Sequence, residues 1–242
     1  MARYLVGIDD TDFGESIGTG ALAREAALWL RRTRSARTDG VTRHQLLVHP
    51  DIPYTSHNSA ACLAVDCDDD AATLGESVAG FVGGLLHEGA DPGVCVCAAD
   101  AALPELVEFG RRAQAQVLRA EDADAVVART GVFSRAVGGT GLGVIGALAA
   151  CGLRLGGDDG RFISYPGARE LTGTLTAGEL VARTGIARVL DQSGRSVEPS
   201  ALVDTLGWVR PDLLGGEAVL RVESDAATGG YAVVRDKHRD KH

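Results

Sequence analysis

Tyr4-Leu-Val-Gly-Ile-Asp9-Asp10-Thr11-Asp12, followed by Gly14, Ser16, Gly18, Thr19 and Gly20, is the stretch on which the reading of the chain turns. An apolar run ends in three carboxylates within four positions, and a Gly/Ser/Thr segment then opens an amphipathic stretch. The pattern predicts a strand over Tyr4–Ile8 and a helix from about Gly18 to Ser35 that buries Leu22, Ala26, Trp29 and Leu30. Like charges at that density repel unless solvent, a cation or a basic partner neutralises them. A hard divalent ion such as Mg2+, held by one or two carboxylates and carrying nucleotide phosphates, is the natural neutraliser. Glycines at the start of the helix let backbone N–H groups approach those phosphates.

Working outward, His44–His49 reads as a strand, Pro50-Asp-Ile-Pro53 as its break, and Ser59–Asp66 as a further strand. Leu74, Val78, Phe81, Val82 and Leu85 mark a second amphipathic helix, and Val94–Ala98 a short strand after the Asp91-Pro-Gly93 turn. The order β-α-β-β-α-β is a split βαβ unit with both helices on one sheet face. A helix starting at Pro104, a short one near Asp122–Arg129, and a glycine-rich start to an apolar helix at Ala136–Ala150 follow. Beyond about Gly157 short β-like pieces alternate with Gly, Pro and Asp turns (Phe162–Tyr165, Arg188–Asp191, Ala218–Glu223, Tyr231–Arg235), before a polar, frayed tail. The expected fold class is therefore α/β (α+β): a βαββαβ-type sheet with helices packed on it over residues 1–156, plus a small β-rich subdomain over 157–242.

Bulk properties narrow the chemistry. The 242 residues carry a net charge of −9 and 45% hydrophobic residues, the composition of an ordinary globular protein. The charge argues against broad capture of nucleic acid, which needs clustered cations. No apolar run approaches the roughly 18–20 residues needed to span a bilayer, and no secretory leader is readable. A cytoplasmic protein with no membrane partner is expected. Five cysteines, Cys62, Cys67, Cys95, Cys97 and Cys151, read as buried reduced thiols, since no second pair completes a zinc spacing.

Competing motifs fail on specific residues. An EF-hand starting at Asp10 needs an acidic twelfth residue where Ala21 stands. A phosphatase with an aspartate nucleophile would need a later lysine, and the only lysines are Lys237 and Lys241 in the tail. No Gly-Lys-Ser/Thr occurs, so there is no Walker A loop. Gly141-x-Gly143-x-x-Gly146 matches a dinucleotide fingerprint formally, but follows a loop deep in the chain. Close helix packing or a phosphate- or base-contacting helix start explain it better. With lysine confined to the tail, phosphate charge falls to backbone N–H groups, metal or an arginine, for which Arg43, Arg129 and Arg135 are candidates.

The candidate site is thus Asp9, Asp10 and Asp12 for metal, with Thr11, Gly18, Gly20, Arg135, Gly139, Thr140, Gly141 and Gly143 around the nucleotide. Tyr54, Ser56, His57 and Asn58, in a polar loop, would orient a small polar acceptor.

Val6-Gly-Ile-Asp9-Asp10-Thr11-Asp12, then Thr19, Pro50-Asp-Ile-Pro-Tyr54 and Gly141-Leu-Gly-Val-Ile-Gly-Ala-Leu-Ala-Ala150, resemble the kinase-like domain of archaeal tRNA isoleucine agmatinylcytidine synthetases. The resemblance covers residues 3–165 discontinuously. It implies an enzyme that uses ATP and Mg2+ to phosphorylate a cytidine of a tRNA anticodon for attack by agmatine. Asp9, Asp10 and Asp12 would hold metal and phosphate, and Thr19 would match a threonine that such kinases phosphorylate on themselves. The family's basic Lys-Thr-Arg-Gly-Asn motif is replaced by Thr55-Ser56-His57-Asn58-Ser59, and its oligonucleotide-binding fold and zinc ribbon have no counterpart. The expectation is therefore an ATP/Mg-dependent phosphotransferase acting on a small molecule, with tRNA disfavoured by the net charge. The alternatives are a tRNA-modifying enzyme working with a partner, or a nucleotide-binding regulator without turnover. A homodimer is compatible with the sequence.

Overall fold

The structure, a computed structural model, describes residues 1–11, 17–53, 57–226 and 229–235. The chain divides into two compact units, Met1–Gly160 and Arg161–His242.

In the first unit the elements run β1 (Ala2–Asp9), α1 (Thr19–Thr33), β2 (Arg37–Gln45), β3 (Ser59–Cys67), α2 (Ala71–Gly83), β4 (Gly93–Ala98), α3 (Pro104–Ala115), α4 (Ala120–Thr130), β5 (Phe133–Ala136) and α5 (Gly143–Gly156). The sheet order is β5-β4-β1-β3-β2 and every neighbouring pair is antiparallel. Strands 4-1-3-2 are the split βαβ arrangement expected from the sequence, and α1 and α2 pack together on it.

Two local differences have physical causes. β2 runs Arg37–Gln45 rather than His44–His49, because a bulge at Asp39 and Gly40, with Gly40 at φ 84°, lets the polar pair Arg37 and Thr38 continue the ladder with β3. Leu46 and Leu47 leave the ladder, and their N–H groups go to the carbonyls of Asn58 and Ala113. β5 is an unexpected edge strand, four residues long and too short and polar to show a periodicity.

α5 is buried on nearly every side, as its Gly/Ala/Leu composition allows. It lies between the sheet and α3. Leu5, Cys62, Cys95 and Cys97 of the sheet share one apolar cluster with Leu106 and Phe109 of α3 and Ala147–Cys151 of α5. Glycines set the spacing: a Cβ on Gly7 would overlap the Ala147 carbonyl, and one on Gly152 would overlap the Leu106 carbonyl. Leu148 is fully buried, so truncation to alanine there costs about 2–5 kcal/mol. All five cysteines are free and buried.

The second unit builds a strand path β6 (Arg161–Ser164), β10 (Asp212–Leu214), β11 (Glu217–Asp225), β12 (Gly230–Val233), β9 (Leu202–Asp204) and β7 (Thr174–Thr176). β8 (Arg188–Leu190) pairs in parallel with β11. Its one helix among the described residues, α6 (Ala177–Thr184), starts on a capping box of Thr176 and Glu179. Leu171, Leu180, Ile186, Val203 and Leu220 are in its core. No helix of the described residues is long and apolar enough to cross a membrane.

Candidate functional site at one end of the first sheet

The register places the sequence-predicted groups together. Asp9 pairs with Gly93, and Gly93 with Ala136, so the end of β1, the start of β4 and the end of β5 form one row. β3 starts at the same end, opposite the end of β2. The loops that leave this end carry Asp10–Thr11, Asp91–Pro92, Asn58 and Gly138–Leu142.

Asp9 points at the first turn of α5, where a Cβ on Gly146 would overlap its Oδ2. Burial pushes the Asp9 carboxyl up to about 8, and the neighbouring Asp10 charge adds to the shift, while a backbone N–H at Asp10 opposes it. Asp10 sits in the left-handed region, at φ 53°, which few non-glycine residues adopt other than Asn and Asp. Its carbonyl accepts the Asp91 N–H at 3.2 Å. Thr11 is buried and donates its hydroxyl to Thr19 Oγ1 at 3.1 Å, tying the end of β1 to the first residue of α1.

Among the described residues, the start of α1 has no anion of its own. Its N-cap is Gly18, at φ 80° and ψ 150°, which has no side chain to accept the first-turn N–H groups, and that turn carries no acidic residue. α5 differs. The Asp91 carboxylate accepts the N–H of Gly141 at 2.6 Å and of Leu142 at 3.2 Å, and the Thr140 hydroxyl. Gly139 (φ 61°) and Gly141 (φ 86°) shape the turn that brings those donors together. A Cβ on Gly143 would overlap the Asp91 carbonyl and lie 3.1 Å from the Asp10 Cβ, so the two loops pack backbone against backbone.

Of the predicted groups, Asp9, Asp10, Thr11, Gly18, Thr19, Gly20, Gly139, Thr140, Gly141 and Gly143 come together here. Arg135 does not. It lies in the Val94–Ile8 row, one position in from the tip and on alternate pleat to Asp9, and forms an ion pair with Glu76 of α2. Arg129 ends α4, before the end of β5 that is remote from Asp9. Arg43 lies in the same row as Arg135, on the other side of β1 beyond Ala61, with its Nε donating to Ser59 Oγ at 2.8 Å. The Asn58 side chain is spent on structure, donating to the Leu47 carbonyl at 2.6 Å, and His57 beside it is half-buried. Asp12, Tyr54 and Ser56 lie outside the described residues.

Asp91 is visible in the sequence only as a turn residue. The signal that would find it is the glycine turn itself, whose N–H groups need an acceptor. His44 is a second surprise. It is fully buried, with its ring nitrogens 2.8 Å from Asp159 Oδ1 and 2.8 Å from Thr42 Oγ1, and desolvation lowers its pKa despite the nearby carboxylate.

Two carboxylates at a strand tip fit a magnesium ion that takes its remaining ligands from water and phosphate. Among the described residues no group of three His, Cys, Asp or Glu gathers for an all-protein metal cage.

No protein-family model matches the chain. It is 31% identical over 157 residues to the isoleucine-tRNA 2-agmatinylcytidine synthetase TiaS of Methanosarcina acetivorans, covering 62% of this chain and 36% of that protein. Among solved structures, it is similar to a tRNA fluorescent labeling enzyme (30% identity, TM-score 0.55, 62% of this chain and 36% of that one). It is equally similar to TiaS in complex with its isoleucine tRNA and ATP (29% identity, TM-score 0.55, 63% and 36%). The chain thus contains a TiaS-like domain and spans about a third of the length of the relatives it matches.

Proposed function

We propose that the first unit is an ATP-using catalytic module that modifies RNA, with transfer of a phosphoryl group to a base oxygen of a tRNA as its activating step. In that step the bond from the γ-phosphorus to its bridging oxygen breaks, a new bond to the acceptor oxygen forms, and ADP leaves. The observation that carries the reading is the Asp9–Thr11 strand tip tied to the start of α1 by the Thr11–Thr19 hydroxyl pair, where the first helical turn carries no acidic residue, in a chain 31% identical to TiaS over 157 residues.

The residues divide the work as follows. First-turn N–H groups of α1, at Thr19 and Gly20, hold phosphate oxygens, and the Thr11–Thr19 hydroxyl pair fixes that turn against the strand tip. Asp9 and Asp10, with Asp12, would hold magnesium, which supplies charge neutralisation of the triphosphate when bound. An arginine would offset developing charge, and Arg43 and Arg135, each two strands from β1 in the row of Ile8, are the candidates.

The opposing feature is charge. Met1–Gly160 carries 13 arginines against 22 acidic residues, the whole of the chain's −9, while Arg161–His242 is neutral. An RNA would therefore be gripped through protein outside this unit. That same charge favours the second reading, a small polar acceptor.

Magnesium-dependent ADP release from the purified chain, measured with tRNA transcripts and separately with small amines and nucleosides, tests both. Stimulation by tRNA and label transfer from [γ-32P]ATP to it supports the first. Transfer to a small acceptor alone replaces it with the second. Tight ATP binding with no product under any acceptor would make the chain a nucleotide-binding regulator.

A further inference from the structure

Asp91 lies in the loop before β4, and no reading of the metal and nucleotide groups above requires it. Yet it touches both sides of the site. Its side chain takes three donors from the glycine turn, namely the Thr140 hydroxyl and the N–H groups of Gly141 and Leu142. Its main-chain N–H goes to the carbonyl of Asp10. Its carbonyl is the atom against which Gly143 packs, and a Cβ on Gly139 would come within 2.7 Å of its side chain. A third carboxylate beside Asp9 and Asp10 is unfavourable by charge alone. Three donors and the positive end of the α5 dipole are what make it tolerable.

From this geometry we infer that Asp91 is a positioning residue: it clamps the glycine turn of α5 onto the Asp10 loop and so fixes the direction of the Asp10 carboxylate toward metal and phosphate. The inference rests on the phosphoryl-transfer reading above and deepens it. Asp10 holds a left-handed backbone that needs outside support. Asp91 supplies that support through its N–H, and its side chain prevents the turn from backing away. Asp91 takes the N–H groups of the glycine turn just ahead of α5, so this turn serves as a fixed wall of the site.

The test uses Mn(II) as the metal probe and a non-hydrolysable ATP analogue, with Mn(II) affinity read by electron paramagnetic resonance on the full chain. Asp91→Ala is expected to weaken Mn(II) about tenfold in the presence of the analogue, because the Asp10 carboxylate is no longer held. Asp91→Asn keeps one acceptor oxygen for Gly141 and an amide for Thr140, and is expected to recover most of the loss. Thr140→Val, at an exposed position, removes one donor and is expected to weaken Mn(II) two- to threefold even if Asp91→Ala does not fold. A wild-type chain that binds Mn(II) and analogue, beside an Asp91→Ala variant that binds both equally well, overturns the role of Asp91 alone. A loss in Asp91→Ala that Asp91→Asn does not recover, and that tracks the fraction unfolded, also overturns it. A wild-type chain that binds neither probe overturns the phosphoryl-transfer reading and this inference with it.

Discussion

The molecule has two glycine-rich helix starts at the same end of one sheet, and they have opposite electrostatic fates. At α1, Gly18 leaves the first-turn N–H groups without a cap side chain. Ahead of α5, the N–H groups of Gly141 and of the N-cap residue Leu142 are given to Asp91. In sequence the two look alike, and both invite the same phosphate-binding reading. Among the described residues the difference is one of acceptors: glycine content makes a helix start approachable, and an internal carboxylate at the turn competes with a ligand anion for its N–H groups.

The comparison can be broken in several ways. The largest effect is expected from Asp10→Asn, which should lower magnesium-dependent ATP consumption by about 100-fold or more, measured as ADP release. Undiminished turnover would remove the strand tip from the chemistry and leave the two helix starts with no ion between them.

Asp9→Asn sharpens the electrostatic side. An acid pushed up to about 8 keeps its proton in the native state after the unfolded chain has released it near the ordinary value of 3.8. Stability of the metal-free protein therefore falls as pH rises from about 4 to about 8, and is level above that. Asp9→Asn should be the more stable protein at pH 8, by on the order of a few kcal/mol, and no more stable at pH 4. Parallel urea curves for the two proteins at both pH values would show the shift to be absent.

A pair of glycine variants separates crowding from conformation. Gly146→Ala drives a methyl into Asp9 and should cost about 1–3 kcal/mol by urea unfolding. Gly18→Ala forces alanine into a backbone region reserved for glycine, at a similar cost of about 1–3 kcal/mol, but should also weaken nucleotide binding. Equal nucleotide affinity in Gly18→Ala and wild type would count against a phosphate at α1. The smallest and most direct observation is spectroscopic. Titration with magnesium and an ATP analogue should move the amide resonances of Thr19 and Gly20 and leave those of Gly141 and Leu142 nearly in place, and the reverse pattern would exchange the roles of the two helices.

The strand–glycine–helix start, the split βαβ order and the gathering of Asp9 and Asp10 with both glycine turns were legible because they follow from local pattern and from alternation along β1. β5 was not, since four residues cannot establish a period. Asp91 was hidden for a different reason: its partners lie about fifty residues further on, and only the return of the chain through β5 brings them within reach. Arg135 stands apart from Asp9 because one residue of register turns it to Glu76. The disfavouring of tRNA came from net charge, a property of the whole chain, whereas the similarity to TiaS covers 62% of this chain and 36% of that protein.

At the end of α5 opposite the site, Arg154 is buried and donates to the Cys62 carbonyl at 2.7 Å, to Thr42 Oγ1 at 3.0 Å, and to the carbonyls of Asp39 and Gly40 in the β2 bulge. Held there by a cation and ahead of its start by Asp91, α5 is a strut of fourteen residues, about 20 Å long, anchored at both ends. Distant lesions should then register at the reactive tip: altering Gly40, Thr42 or Arg154 would translate the whole strut along its axis. Random mutagenesis for lost turnover would recover such substitutions far from any substrate.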